Sequence, residues 1–155
     1  MVTLGDKYNC IVWDFDNVLF YNPENRYDDE YLTVDRVTDM DRLPVEFYNR
    51  HKNILLTGRG RFQANIIKRI LREKGYEFDK YIFFMDNRED YPDYNPHITL
   101  FEYYVRYWRF KIKNILLLKM FYEKILVIDD DKIIIDYCKK NEINCIKFDV
   151  RTIIR

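Results

Sequence analysis

The sequence has few glycines, prolines and cysteines, and its charges cancel. Four Gly and four Pro in 155 residues argue against long disordered linkers. Lys plus Arg and Asp plus Glu stand at 26 each, which excludes a global attraction to nucleic acid or to anionic membranes. The two histidines and three cysteines lack the spacing of a zinc site. These features favour a single globular domain over residues 1–155.

Long apolar stretches are also missing. No run approaches the roughly 18 residues of a membrane span, and residues 1–9 lack the apolar core of a signal peptide. We therefore expect an intracellular, cytoplasmic protein without membrane contact. Cys10 and Cys145 lie in apolar, strand-like runs, where buried free thiols of a reducing compartment are expected.

Short apolar runs alternate with helical patterns along the chain. The runs predict five strands, at Cys10–Trp13, Ile54–Leu56, Tyr81–Phe84, Ile125–Ile128 and Cys145–Phe148. Apolar residues at helical spacing predict helices over Arg61–Lys74, Thr99–Phe121 and Lys132–Lys140. This alternation predicts an α/β fold, namely a three-layer, Rossmann-like, mostly parallel five-stranded sheet with helices on both faces.

Two segments depart from this regular pattern. Residues 21–41 are polar and acidic, and they predict a loop excursion with a short strand at Tyr31–Val34. Asp41 is a candidate cap for a short helix over Leu43–Asn49, so residues 21–50 would form a small cap-like excursion beside the first strand. The first half of the long helical segment, residues 98–108, is rich in β-branched and aromatic residues and is also compatible with an extended conformation.

Polar side chains follow three of the predicted strands at the point where each strand ends. They are Asp14 and Asp16 after the first strand, Thr57, Gly58 and Arg59 after the second, and Asp129 and Asp130 after the fourth. Because the ends of parallel strands share one edge of a sheet, these residues are expected to converge. Gathered carboxylates repel one another unless a cation is present, and an all-oxygen shell suits Mg²⁺. With a hydroxyl, an open turn and nearby cations, such a site can hold a phosphoryl group for attack by a carboxylate.

The strand-end motifs resemble those of the haloacid dehalogenase (HAD) superfamily. WDFDNVLF resembles its first motif, LLTGR its second and VIDDD its fourth, and the family places a lysine between the last two. The order of the motifs differs from that of two-component receiver domains, in which the acidic pair comes first. The run LLTGRGRFQANIIKRILREKGYEFDKYIFF further resembles the Swiss-army-knife RNA-repair-like branch of the superfamily. The resemblance implies a HAD-type fold with a minimal cap or none.

The resemblance also implies a role for each motif residue. Asp14 would be the nucleophile that forms an aspartyl-phosphate, and it would also bind Mg²⁺. Asp16 would protonate the leaving oxygen and later activate water, with its backbone carbonyl on the metal. Thr57 would hydrogen-bond the phosphoryl group. Asp129 would complete the metal shell, and Asp130 would support it or orient the lysine.

The second-motif turn and the third-motif lysine complete the implied site. Gly58 and Arg59 would bind substrate. The lysine is best matched by Lys111, with Lys113 and Arg106 as alternatives. If one helix began at Thr99, however, Lys111 would lie about 18 Å along it at about 1.5 Å per residue, too far from the strand tips. Either the segment breaks near residues 107–108, or another cation serves, or the site has lost its cation.

Two functions follow from these motifs. The first is a Mg²⁺-dependent, HAD-like phosphatase that hydrolyses phosphomonoesters, and an open site would admit large substrates such as phosphorylated RNA or DNA ends. The second is a catalytically inactive HAD-fold module that binds a protein or nucleic-acid partner. Four clustered polar residues at strand ends favour the enzyme, because buried like charges are costly without a use.

Overall fold

The computed structural model describes residues 7–92 and 95–153, and it is organised around one sheet. The strands are β1 (Cys10–Trp13), β2 (Lys52–Thr57), β3 (Lys80–Phe83), β4 (Ile125–Asp129) and β5 (Asn144–Lys147). Their order is β3-β2-β1-β4-β5, and every pairing is parallel. The predicted α/β class with a five-stranded parallel sheet is confirmed.

Three helices connect successive strands of this sheet. They are α1 (Ala64–Glu73) between β2 and β3, α2 (Leu100–Phe121) between β3 and β4, and α3 (Lys132–Lys140) between β4 and β5. Ile11 and Trp13 of β1 share a buried cluster with α1, whereas Cys10 and Val12 share a second cluster with α2 and α3. Alternate strand residues point to opposite faces, so the two clusters lie on opposite sides of β1.

The segment between β1 and β2 differs from its predicted structure. The strand predicted at Tyr31–Val34 is wrong: two 3₁₀ turns, Asp29–Tyr31 and Val34–Arg36, occupy this region. Tyr31 is buried, and the Arg36 guanidinium lies 3.7 Å from its ring centroid. The Tyr31 ring is therefore packed inside the molecule against Arg36 of the following turn, and not on the surface of a strand.

The helix predicted over Leu43–Asn49 is also wrong. The structure has bends there instead of a helix. Val45 and Phe47 are buried, whereas Glu46 and Tyr48 between and after them are exposed. Burial of every second residue is not the pattern of a helix, in which neighbours on one face are three or four residues apart. The stretch is instead anchored in the core by Val45 and Phe47.

Helix α2 is continuous over its whole length. Neither the break near residues 107–108, one of the alternatives considered for Lys111, nor the extended conformation considered for residues 98–108 occurs. Thr99 is the N-cap, and its hydroxyl accepts a hydrogen bond of 3.1 Å from the backbone N–H of Glu102. This cap and the aromatic side chains at helical spacing, such as Tyr103 and Tyr107, override the β propensity of the segment.

The cysteines are free thiols, as predicted for Cys10 and Cys145. Cys10 and Cys138 are buried and Cys145 is half-buried. Burial raises the pKa of Cys10 and of Cys138 to about 12. Thiolate chemistry at neutral pH is therefore disfavoured at both positions.

The described residues contain no helix of the length and apolarity that a bilayer crossing requires. Residues 1–6, which form most of the segment assessed above for a signal peptide, lie outside the described residues.

Candidate active site

A buried lysine joins two aspartates at the carboxyl ends of β1 and β4. The Lys111 Nζ atom donates hydrogen bonds of 2.7 Å to Asp14 Oδ1 and of 2.7 Å to Asp129 Oδ2. All three side chains are almost fully buried. The charges of Asp129 and Asp14 outweigh the effect of burial and raise the pKa of Lys111, so the ammonium form is retained. The motif lysine and the motif aspartates are thus in direct contact.

The position of α2 explains why Lys111 reaches the strand tips, which corrects the expectation that an unbroken helix places it too far away. Ile115 and Leu118 follow it at helical spacing and pack into the core below the sheet edge. Lys111 lies on the same face of α2 as these two residues, at the level of the strand ends. The first half of α2 therefore extends past this edge of the sheet. The two alternative cations, Lys113 and Arg106, are exposed to solvent.

Asp130 adds a third carboxylate to this cluster. Asp14, Asp129 and Asp130 each place one carboxylate oxygen within 4.8 Å of the others. Burial raises the pKa of Asp14 well above its ordinary range, and the charge of Asp129 adds to this effect. Burial also raises the pKa of Asp130 to about 6. The raised pKa values of these two neighbouring carboxyl groups favour protonation of the pair when no cation is bound.

The charge and the donor set of this cluster fit a divalent cation. Three carboxylates and one ammonium leave two negative charges without a buried partner. Lys111 contacts one oxygen of Asp14 and one of Asp129. The other oxygen of Asp129 accepts a hydrogen bond of 2.9 Å from the backbone N–H of Asp131 and keeps a lone pair for a second cation. Hard oxygen donors of this kind are those that Mg²⁺ prefers.

The carboxylate of Asp16 is held apart from this cluster by an arginine. Arg59 donates hydrogen bonds from Nε to Asp16 Oδ2 at 2.9 Å and from Nη2 to Asp16 Oδ1 at 2.8 Å. Arg59 is only 2% exposed. The remaining guanidinium hydrogen bonds go to Gln63 and to the carbonyl of Arg26. Asn22 donates to the same carboxylate at 2.9 Å. Arg59, which the resemblance predicts to bind substrate, is engaged with Asp16 and orients its carboxylate.

The turn after β2 contributes a hydroxyl and a close backbone approach. The Thr57 Oγ1 atom accepts a hydrogen bond of 3.0 Å from the backbone N–H of Arg59, which fixes the turn. A Cβ atom at Gly58 would lie 2.3 Å from Cε2 of Tyr107, so the aromatic ring occupies the space that any side chain would need. Gly58 is required here by this contact.

An open pocket of about 230 Å³ gives access to the predicted nucleophile. Its lining consists of Asp14, Asp16, Asn17, Asn25, Tyr27, Gly58, Tyr103, Tyr104, Tyr107, Asp130, Asp131 and Arg151. The four tyrosines were not predicted as site residues. Tyr103, Tyr104 and Tyr107 lie on α2, where aromatic residues at helical spacing indicate core packing equally well, and Tyr27 lies in the excursion between β1 and β2. Arg151 follows β5 and belongs to none of the motifs, so no sequence signal indicated that it would line the pocket.

Comparison with protein-family models finds no match for this chain, and comparison with curated proteins finds none either. The geometry of this pocket and the motifs that converge on it are therefore the basis for inferring a function.

Proposed function

We propose that this protein is a Mg²⁺-dependent phosphatase of the HAD type, which hydrolyses phosphomonoesters through an aspartyl-phosphate. The observation that carries the proposal is the position of Asp14, which lies in an open pocket with Lys111 on one oxygen and Asp130 beside it. The proposal includes a three-layer, Rossmann-like HAD fold, in which the 3₁₀ turns between β1 and β2 take the place of a larger cap. Phosphorylated RNA or DNA ends are the substrates that the RNA-repair-like motifs suggest.

The proposed metal site uses four of the predicted residues. Asp14, Asp129 and Asp130 would hold Mg²⁺ through carboxylate oxygens, and Asp16 would contribute its backbone carbonyl, since its side chain is bound to Arg59. When bound, the ion neutralises the oxygens of the transferring phosphoryl group and lets the Asp14 carboxylate approach them. Asp16 would take part in the metal site only through its main chain.

The proposed reaction consists of two transfers of the phosphoryl group. In the first, an Asp14 oxygen forms a bond to phosphorus while the bond from phosphorus to the leaving oxygen breaks, and Asp16 gives that oxygen a proton. In the second, Asp16 takes a proton from a water molecule, which attacks phosphorus and releases inorganic phosphate from Asp14. Lys111 and the Thr57 hydroxyl stabilise the phosphoryl oxygens in both transfers.

One observation favours a second candidate, a catalytically inactive module that binds a partner. Both oxygens of the Asp16 carboxylate accept hydrogen bonds from Arg59, and Asn22 adds another. In addition, Met120 and Phe121 at the end of α2 are more than four-fifths exposed and offer an apolar surface. The hydrolysis experiment separates this candidate from the enzyme.

The test is hydrolysis of p-nitrophenyl phosphate with Mg²⁺, with and without EDTA. We expect phosphate release that EDTA abolishes, and we expect Asp14→Asn to remove it. Asp35→Asn, an exposed aspartate outside the pocket, is the matched control. When the protein is quenched with acid during reaction with a labelled phosphomonoester, we expect the wild type to retain covalent label and Asp14→Asn to retain none. An absence of turnover on aryl, nucleotide and oligonucleotide 3′-phosphate substrates would instead support the binding module.

A further inference from the structure

Arg151 supplies the positive charge that the open pocket presents to a ligand. Among the residues that the structure describes, it is the one arginine or lysine in the lining. Lys111 is buried beneath Asp14, and Arg59 is engaged behind Asp16. The other charged side chains of the lining are the carboxylates of Asp14, Asp16, Asp130 and Asp131.

Arg151 is held in place by its own turn. It lies in the 3₁₀ turn Val150–Thr152, and the buried Val150 donates its backbone N–H to the carbonyl of Asn17 at 2.8 Å. This hydrogen bond ties the turn to the segment that carries the predicted nucleophile. Asp149 accepts from Arg151 Nε at 2.8 Å and from Nη2 at 2.6 Å, which fixes the plane of the guanidinium.

The remaining donors of this guanidinium are available. Within residues 7–92 and 95–153, no hydrogen bond to Nη1 of Arg151 is present. The side chain is 38% exposed, and its Nη2 atom lies 3.6 Å from Asp130 Oδ2, beyond hydrogen-bond distance. A fixed guanidinium with free N–H groups in the lining of this pocket is well suited to hold a phosphate.

We propose that Arg151 binds a second phosphate of the substrate, so that the preferred substrates are phosphomonoesters that carry another phosphate close to the scissile one. The inference rests on the proposed function, which assigns the scissile group to Asp14 and Lys111. That group would be neutralised by the lysine and the metal, whereas Arg151 is paired with Asp130 at 3.6 Å and with Asp149 at 2.6 Å. The tyrosines of α2, among them Tyr104, which is 45% exposed, provide an aromatic wall for the organic part that joins the two phosphates.

The test compares substrates that differ by one phosphate. Adenosine 3′,5′-bisphosphate is paired with adenosine 3′-monophosphate and with adenosine 5′-monophosphate, and kcat/KM is measured for each. We expect the wild type to prefer the bisphosphate. Loss of one or two charge-assisted hydrogen bonds in Arg151→Gln is expected to reduce that preference by about 10- to 100-fold. An oligonucleotide 3′-phosphate, whose phosphodiester is the second anion, distinguishes nucleic-acid ends from free bisphosphates.

Control variants and a binding measurement keep the outcomes separate. Arg151→Lys, which keeps the charge but not the planar donors, is expected to retain part of the preference. Arg69→Gln changes an exposed arginine of α1 and is expected to leave the preference intact. Calorimetric titration of the same nucleotides into Asp14→Asn, with and without Arg151→Gln, tests binding without turnover. If no substrate is hydrolysed but the bisphosphate still binds more tightly through Arg151, the proposed function fails and the phosphate site at Arg151 alone stands.

Two results would overturn the inference. The first is a wild type that handles bisphosphate and monophosphates equally. The second is a loss in Arg151→Gln that is the same for both kinds of substrate, which would mean that the arginine acts through Asp130 alone.

Discussion

The ammonium group of Lys111 lies 2.7 Å from Oδ1 of Asp14, although the two residues are 97 positions apart in the chain. Lys111 belongs to the middle of a 22-residue helix, and Asp14 follows the central strand of the sheet. The contact depends on how the helix is positioned along the sheet. It therefore links the packing of α2 directly to the state of the predicted nucleophile.

Removal of the Lys111 charge is expected to destabilise the protein. In Lys111→Met, Asp14 and Asp129 lose their buried partner, and an uncompensated buried charge costs about 3–5 kcal/mol of unfolding free energy. The melting temperature measured by circular dichroism is expected to fall on the order of 10 °C. Phosphatase activity is expected to be lost as well, because the cation contacts the attacking carboxylate.

Lys113→Met is the matched control for this prediction. Lys113 is two residues further along the same helix and exposed, so the substitution is expected to change the unfolding free energy by no more than about 0.5 kcal/mol. Equal stability of the two variants would contradict the assigned role of Lys111.

The fold could be predicted from the sequence because its signals are local. Apolar runs of strand length alternate with amphipathic helical patterns, and each signal needs only neighbouring residues to be interpreted. The convergence of Asp14 and Asp129 also followed, since parallel strands that end in polar residues share an edge. The HAD resemblance itself stays a prediction.

The reach of Lys111 could not be predicted because it depends on long-range packing. The depth at which Ile115 and Leu118 enter the core decides how far the start of α2 extends past the strand tips, and no local pattern encodes this distance. Arg151 was missed for a related reason. Its approach to the pocket depends on the hydrogen bond between Val150 and Asn17, which joins two ends of the chain.

The stability of the metal-free protein is expected to depend on pH through Asp130. Burial raises the pKa of Asp130 from 3.8 to about 6, so between these values the folded state binds a proton that the unfolded state does not. The unfolding free energy therefore decreases as pH rises through this window and stays low above it. The raised pKa of Asp14 acts in the same direction. We expect the melting temperature in EDTA to be lower at pH 7.5 than at pH 5.

Addition of Mg²⁺ at pH 7.5 is expected to raise the melting temperature again, because the ion neutralises the carboxylates that protons neutralise at lower pH. In Asp130→Asn both the pH effect and the Mg²⁺ effect are expected to shrink, whereas Asp35→Asn at an exposed position is expected to keep both. A metal-free wild type that is as stable at pH 7.5 as at pH 5, with no response to Mg²⁺, would argue against the proposed metal site.

The pairing of Arg59 with Asp16 predicts a substrate-dependent defect. Arg59→Lys keeps the charge but cannot donate two parallel hydrogen bonds, so Asp16 loses its orientation. Misplacement of a catalytic group by about 1 Å reduces the rate by about 100-fold. We expect kcat to fall strongly for β-glycerophosphate, whose alkoxide must be protonated as it leaves, and less for p-nitrophenyl phosphate, whose phenolate leaves readily without a proton.

Arg61→Lys, two residues further along at an exposed position, is the control and is expected to affect both substrates little. A defect in Arg59→Lys that is equal for the two substrates would show that the arginine acts only on stability and not through the proton transfer of Asp16.

The contact between Gly58 and Tyr107 predicts that a single methyl group at this position disturbs the pocket. In Gly58→Ala the new Cβ would lie 2.3 Å from Cε2 of Tyr107, so the ring has to move. The Lys111 Nζ atom lies 5.4 Å from the centroid of this ring, and a displaced ring disturbs the ammonium group. We expect a loss of about 1–3 kcal/mol in unfolding free energy and a lower kcat.

A double-mutant cycle separates this clash from a general effect of alanine on the turn. Tyr107→Leu removes the ring edge, so Gly58→Ala is expected to cost less stability in that background than in the wild type. A favourable coupling of about 1 kcal/mol or more, measured by urea unfolding of the four proteins, is the expected result. Strict additivity would mean that the ring gives way freely. Gly58 would then be needed for the conformation of the β2 turn and not for the wall of the pocket.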